Sequence, residues 1–342
     1  MTVAFTLPPG SEAGAPPEER GLLRDEVRLL SVRPSGVEHR RFHELPGLLE
    51  PGDLVVVNTS ATLPARVDAR GADGRLVRLH VSTTLGDGSW VVEVRRPGND
   101  GPDLGVEPGT LLRLPGDVWL HLHEPYPRPA AGSRLWRART DPRVAATAYL
   151  PLHGRPVGYR YLEHEVPLAE LQNVYADEPG SAEMASAGRP FSEHVVTRLA
   201  ARGIPVVPLT LHTGVSSPEL HEPPYPERFR VPEVTARLVT GTRAAGHRVV
   251  AVGTTVTRAL ETATGDDGVT RPADGWTDLV LGPDGPARAV TGLVTGLHAP
   301  EASHLLLLEA VAGPQLVRDA YTAAVTERYL WHEFGDSMLF LP

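Results

Sequence analysis

Apolar residues change their spacing twice along this chain, and the changes divide it into three parts. In the first, Val27-Arg-Leu-Leu-Ser-Val32 and Leu54-Val-Val-Val-Asn58 are short aliphatic runs that predict strands. Gly36 falls in a turn, and Pro51-Gly-Asp53 leads into the second run. Residues 1–20, rich in Pro, Gly and Glu, read as an extended lead-in. After Pro64 the pattern becomes Leu76–Ser82, Trp90–Arg95, Thr110–Leu114, Val118–His123 and Leu135–Arg139, several of them alternating and all separated by Gly, Pro or Asp turns. Five or six such segments in about 85 residues predict a small antiparallel β-barrel. From Tyr149 onward helices and strands alternate. Phe191–Arg202 is predicted as a helix capped by Ser192 and stopped at Gly203. Ile204–His212 is strand-like, with two prolines that suit an edge or a bulge. Val231–Ala245, His304–Val311 and Pro314–Tyr329 follow as helical or apolar segments. The simplest architecture is an α/β domain with three layers, discontinuous over residues 1–62 and 148–342, interrupted by a barrel over residues 63–147.

The most informative stretch is Arg248–Glu261. Val249–Val252 is long enough for a buried strand and too short for a helix. Gly253 permits a tight turn, and Thr254 or Thr255 is placed to cap a helix carrying Val256, Ala259 and Leu260 at helical spacing. Strand, glycine, hydroxyl and helix in that order leave backbone N–H groups facing a ligand at the carboxyl edge of a sheet, where negative charge or polar oxygens are favoured. Spacing alone fits an ordinary βα turn as well.

Composition narrows the chemistry. With 342 residues, 41% of them hydrophobic, the chain has enough material for a large core and for about two domains. No apolar run reaches the roughly 20 residues of a membrane span, and the N-terminus lacks a basic-then-apolar leader, so a cytoplasmic protein without membrane contact is expected. The absence of cysteine removes thiolate nucleophiles, disulfides and cysteine-ligated zinc. All 33 basic residues are arginine, which removes lysine Schiff bases, pyridoxal-phosphate (PLP) anchoring and the Walker lysine. No glycine-rich dinucleotide fingerprint occurs, so NAD is not expected either. A net charge of −9 argues against a general nucleic-acid coat and leaves room for a local arginine patch on one structured RNA.

A dozen landmarks in register resemble one family, the S-adenosylmethionine:tRNA ribosyltransferase-isomerases of queuosine biosynthesis. They are Glu38-His-Arg-Arg-Phe42, Pro51-Gly-Asp-Leu54, Pro64-Ala-Arg66, Val174-Tyr-Ala176, Gly180-Ser181, Ala187-Gly188, Leu211-His-x-Gly214, Val252-Gly-Thr-Thr-Val-x-Arg258 with Leu260-Glu261, Gly275-Trp-Thr-Asp278, His298-x-Pro300 and Gly335-Asp-x-Met338. The resemblance implies an α/β domain plus a six-stranded barrel. It implies S-adenosylmethionine as co-substrate without a metal, and tRNA as acceptor. The family moves the ribosyl part of that donor to a deazaguanine base at the wobble position, releasing adenine and methionine. The sulfonium acidifies the neighbouring sugar methylene, so the site needs a proton acceptor, tolerance of a cationic sulfur, polar partners for ribose and adenine, and exclusion of water.

On these positions His212 and His298 are the candidate base or hydrogen-bonding groups, each at the end of a strand-like run, and Glu227 aligns with an acidic family position. Gly253, Thr254, Thr255 and Arg258 are candidates for ribose hydroxyls or the methionine carboxylate, with Ala187, Gly188 and Gly214 beside them. Asp278 and Asp336 are candidates near the sulfonium, although aspartate after Thr or Gly is also an ordinary turn former. The chain departs from the family in four runs. Asn-Asp-Thr-Arg becomes Asn58-Thr-Ser-Ala61, Ala-Gly-Leu-His-Phe becomes Ala187-Gly-Arg-Pro-Phe191, His-x-x-His-x-Glu becomes His221–Glu227, and Asn-Phe-His-Leu-Pro becomes Gly296-Leu-His-Ala-Pro300. Such losses are not neutral for a site built on hydrogen bonds. They keep two alternatives open: a paralogue that uses the same donor with a small-molecule acceptor or cyclises it, and a protein that binds nucleoside or RNA without turnover. Weaker signals are His121-x-His123 with His80 on a neighbouring strand as a metal pair lacking a carboxylate motif, and Arg134, Arg137, Arg139 and Arg143 with Trp136 as RNA contacts. Monomer and homodimer are both left open.

Overall fold

The computed structural model describes residues 4–96, 101–128, 133–215, 224–300 and 302–342. Among these the chain opens with β1 (Arg28–Arg33), β2 (Gly36–Arg41), α1 (Leu45–Leu48), β3 (Leu54–Asn58) and β4 (Ser60–Thr62). Six strands follow among the described residues: β5 (Arg66–Gly71), β6 (Leu76–Thr84), β7 (Trp90–Arg95), β8 (Leu111–Leu114), β9 (Val118–Pro125) and β10 (Leu135–Asp141). Then come α2 (Ala146–His153), β11 (Glu178–Ser181), α3 (Glu193–Ala201), β12 (Val206–Leu211), β13 (Glu227–Val231), α4 (Glu233–Ala244), β14 (Val249–Val252) and α5 (Thr254–Ala263). The chain ends with β15 (Ala273–Thr277), β16 (Gly292–Gly296), α6 (His304–Ala312), α7 (Pro314–Thr326) and β17 (Ser337–Phe340).

Continuous burial separates the sheet strands from the barrel strands. Every residue of β3 and β14 is buried, whereas β8 and β9 alternate between buried and exposed. The first pattern belongs to strands covered on both faces, the second to strands with one wet face. Accordingly the large sheet, in the order β15-β13-β12-β3-β14-β16-β17-β1-β2, sits between two helical layers. Val56 and Ala251 pack with α4, α5, α6 and α7 on one face, while Val55, Val57 and Val250 pack with α1 and α3 on the other. The architecture is therefore three-layer α/β, as the sequence predicts. β5 to β10 close into a six-stranded antiparallel barrel in the order β10-β7-β6-β5-β8-β9. Its core also takes in Tyr149 and Leu150 of α2.

Sequence patterning missed several elements. β5 carries Arg66, Asp68 and Arg70 on alternate positions and has few apolar residues to announce it. β13 and β15 are short and polar, and they pair with one another at the end of the sheet. Val231 ends β13 instead of starting a helix, because Pro232 occupies the N-cap and α4 begins at Glu233. The prolines of β12 follow the expected logic in an unexpected place. β12 is interior in the sheet order, but β13 pairs only with Thr210 and Leu211, so the Pro208 half has β3 as its single neighbour. There the Pro208 carbonyl accepts from Thr235 Oγ1 at 2.6 Å. α3 starts as predicted, with Ser192 Oγ accepting from the Val195 N–H at 3.2 Å. No helix among the described residues is long and apolar enough to cross a membrane.

Candidate active site

β12, β3, β14 and β16 run parallel, so their carboxyl ends share one edge of the sheet. Crossovers leave a crevice at such an edge. Here the barrel covers it. Ser82, Thr83, Tyr126 and Leu135 of the barrel face His212, Gly253 and Thr295 across a cavity of about 470 Å³. That is within the range of small-molecule sites, roughly 300–1,000 Å³. Barrel and sheet are stitched together there: the Val215 N–H donates to Ser82 Oγ at 3.1 Å, and a side chain at Gly214 would collide with the same hydroxyl.

The β14–α5 turn forms one wall. Gly253 has φ +93°, and an added Cβ would lie 3.2 Å from the Ala187 Cβ, so both backbone and space call for glycine. Neither Thr254 nor Thr255 caps the helix, contrary to the sequence expectation. Gly253 occupies the N-cap and no side chain caps α5. Both threonines instead belong to the first turn and line the cavity beside the helix N-terminus.

Arg258, one turn further along, also lines the cavity but is 6% exposed and committed to the protein. Its guanidinium pairs with Glu227, Nε donates to the Leu279 carbonyl at 3.0 Å, and Nη2 donates to the Thr277 carbonyl at 3.1 Å. Glu227 also accepts from the Gly214 N–H at 3.2 Å. Burial pushes the Glu227 carboxyl above its ordinary pKa in spite of Arg258.

His212 continues β12 past its end. Its Nδ1 lies 2.7 Å from Ser60 Oγ, which lies 2.6 Å from Ser181 Oγ, and the latter accepts from the Thr213 N–H at 3.0 Å. Ser181 is fully buried, and Ser60 is its sole hydroxyl partner among the described residues. Satisfying every proton sends the Ser181 O–H to Ser60 and the Ser60 O–H to Nδ1, which assigns the remaining imidazole proton to Nε2. Burial holds His212 below its ordinary pKa, Glu178 opposing and Arg228 and Arg230 reinforcing. His298 Nε2 is 3.0 Å from Thr295 Oγ1, and its ring stacks on His304 with centroids 4.7 Å apart. Burial, with His304 and His332 nearby, holds His298 well below its ordinary pKa.

His212, His298, Glu227, Gly253, Thr254, Thr255, Arg258, Ala187 and Gly214 thus meet in one cavity. Gly188, Asp278 and Asp336 are not among the residues lining it. Gly188 is packed against Tyr175 and Asn173. Asp278 is exposed, and Asp336 is a buried clamp that accepts from the Arg28 N–H and the Leu330 N–H, both at 2.8 Å. His80 does not neighbour His121 and His123, because β6 and β9 are not adjacent in the barrel. No group of three or more His, Asp or Glu side chains among the described residues is arranged for a metal. Trp136 is 4% exposed, so it offers no face to a base, while Arg137 and Arg139 pair with Asp87. His221 lies outside the described residues. Sequence reasoning missed Glu183, His304 and Glu333 on the cavity wall. The only sign of Glu333 is a charge interrupting the bulky run Tyr329–Phe334.

A cavity of this kind, with imidazoles and carboxylates gathered at the carboxyl edge of an α/β sheet under a barrel, belongs to an enzyme rather than a docking module. The chain belongs to the family described as queuosine biosynthesis protein, whose model matches residues 2–340. It is 35% identical to the S-adenosylmethionine:tRNA ribosyltransferase-isomerase of Acidiphilium cryptum, covering 98% of this chain and 97% of that one. The protein of the same name from Moorella thermoacetica is 33% identical, covering 98% of each chain. The crystal structure of the S-adenosylmethionine tRNA ribosyltransferase from Thermotoga maritima is similar over 99% of both chains, with 28% identity and a TM-score of 0.53.

Proposed function

We propose that this protein is an S-adenosylmethionine:tRNA ribosyltransferase-isomerase of the cytoplasm. It transfers the ribosyl part of the donor to a deazaguanine base in tRNA and releases adenine and methionine. The observation that carries this reading is the convergence of the Gly253 turn, His212, His298 and the Glu227–Arg258 pair on one cavity, in a chain whose full-length relatives bear that name. In this reading residues 63–147 form a unit inserted between residues 1–62 and 148–342, and the donor lies beneath it.

The side chains divide the work. The α5 N-terminus with Thr254 and Thr255 offers donors to ribose hydroxyls or the methionine carboxylate. Arg258 acts through Glu227, fixing the wall rather than touching substrate. His212, with its proton on Nε2, serves as the donor that holds or protonates the departing adenine. His298, kept unprotonated by burial, takes the proton from the sugar methylene next to the sulfonium. Mass spectrometry of reactions with S-adenosylmethionine and precursor tRNA tests the reading: adenine and methionine appear and the tRNA gains mass. Failure to release adenine with any acceptor refutes it.

A second reading keeps the donor and changes the acceptor. It is favoured by the position of two of the four family departures, since Gly296–Ala299 and Pro224–Glu227 face the cavity and remove polar side chains from its wall. Adenine release that ignores tRNA selects this reading.

A further inference from the structure

Three glutamates line the cavity, and one of them differs from the others. Glu227 has the guanidinium of Arg258, and Glu183 is partnered. Glu333 lines the same cavity, yet its Oε2 is buried and has no hydrogen-bond partner among the described residues. An unpaired carboxylate oxygen away from water is unfavourable unless a donor, a proton or a cation reaches it.

The backbone holds Glu333 there firmly. His332, just before it, has φ +72°, a left-handed conformation that non-glycine residues rarely adopt and that persists only where the surroundings impose it. The surroundings do impose it. The Gly335 N–H donates to the His332 carbonyl at 3.0 Å, the Asp336 N–H donates to the Leu330 carbonyl at 2.8 Å, and the Asp336 carboxylate accepts from the Leu330 N–H. The carbonyls of Leu330 and Trp331 fill the space a side chain at position 335 would need. This clamp explains Gly335 and Asp336 without assigning either to substrate.

Burial pushes the Glu333 carboxyl up to about 7, opposed only by its own backbone N–H. Tyr159 feels the charges of both Glu333 and Glu183 and, like Tyr161 stacked on His332, supplies no positive charge. Of the nearby guanidinium groups, Arg20 donates to the Phe334 carbonyl at 2.6 Å and Arg189, over the Phe334 ring, pairs with Glu18 and Glu170. His332 is the adjacent residue, with its charge disfavoured by burial and Glu12 as its partner. His298, on the same cavity and next to His332, is held neutral. No guanidinium contributes to the Glu333 titration.

We propose that Glu333 is the counter-charge for the donor's cationic centre, making this end of the cavity an onium subsite that selects a sulfonium over the neutral thioether of the same nucleoside. The inference rests on S-adenosylmethionine being the donor. An opposite charge within about 4–6 Å moves a carboxylate pKa by about 1–3 units, and linkage turns that shift into an equal preference for the cation. Above neutrality Glu333 is already ionised and the sulfonium gains the whole interaction. Below it the sulfonium must displace a proton, so its affinity falls while that of the thioether does not. Burial holds all four histidines lining the cavity, His212, His298, His304 and His332, below their ordinary values, so their protonation is disfavoured as pH rises through this window.

Isothermal titration of S-adenosylmethionine and S-adenosylhomocysteine into the full-length protein, at pH about 6.5 and about 8.5, tests the idea. A preference for the sulfonium of about tenfold or more is expected at the higher pH. It should shrink at the lower pH and nearly vanish in Glu333→Gln, with thioether affinity unchanged. A preference untouched by Glu333→Gln overturns the inference. Should that variant not fold, the unaltered protein decides: sulfonium binding near neutrality must release a proton, read from buffers of different ionisation enthalpy, and a pH-independent preference without proton release overturns it. If both nucleosides bind with no charge preference, only the onium subsite falls. If neither binds, the donor assignment falls and takes the subsite with it.

Discussion

In the barrel, Glu93 is 1% exposed and accepts from Arg134 at 2.6 Å and from Arg95, with His80 Nδ1 3.7 Å away. On the cavity wall, Glu333 is partly exposed as a residue, with its Oε2 buried and without a hydrogen-bond partner among the described residues. The two carboxyls share a residue type and a buried oxygen and differ in overall exposure and in what the chain places beside them. Next to Glu93 the fold supplies guanidinium groups, so the charge is balanced within the barrel and serves architecture. At the Glu333 carboxyl no guanidinium contributes among the described residues, which leaves the buried Oε2 open to a ligand's charge. Burial of a charge is therefore no sign of function by itself; what sets Glu333 apart is a buried oxygen without a partner on a cavity wall.

The largest effect expected from this contrast is in the barrel. Arg134→Ala leaves Glu93 short of a partner and should lower stability by about 3–5 kcal/mol in urea unfolding. A loss below about 1 kcal/mol would mean that Arg95 alone compensates the charge, which blurs the contrast. The opposite sign is expected on the cavity wall. Glu333 holds a proton in the folded protein up to about pH 7, while the unfolded chain releases it near 4.5. Its contribution to stability is therefore intact below 4.5 and is lost as pH rises toward 7. Glu333→Gln removes that penalty and should stabilise the unliganded protein by about 2–3 kcal/mol at pH 8, the gain disappearing by pH 4.5. A variant less stable than the parent at pH 8 would show that Glu333 is compensated after all.

Smaller effects concern the neutral walls of the cavity. Gly253→Ala forces a side chain into φ +93° and against Ala187, and should cost about 1–2 kcal/mol together with weaker donor binding. Ser60→Ala interrupts the hydroxyl chain that fixes the His212 tautomer, at about 1 kcal/mol. Adenine release should slow, its pH profile should shift, and Ser60→Thr should restore both. Equal loss in the alanine and threonine variants would reduce Ser60 to packing.

The glycine–threonine turn was legible in the sequence because a buried strand, a glycine and a helical face follow each other within a few residues. His212, Glu227, His298 and Arg258 were legible through a family likeness, but the contacts that hold them were not. The likeness ranks Arg258 with the substrate contacts, whereas its donors go to Glu227 and to the carbonyls of Leu279 and Thr277. It likewise ranks Asp336 near the sulfonium, whereas Asp336 clamps the loop that carries Glu333. Ser60 and Ser181 are 121 positions apart, so nothing local suggests that they share a proton with His212.

The sequence by itself determined the alternation of covered and half-wet strands, and with it the division into a layered α/β body and a barrel. Hydrophobic spacing is a local property that each segment carries independently of its neighbours. Only the tertiary structure decided which polar groups are compensated. A guanidinium 41 residues from Glu93 silences that carboxylate, and among the described residues no equivalent reaches Glu333. Charge compensation depends on distance in space and on local dielectric, neither of which is written in the order of residues.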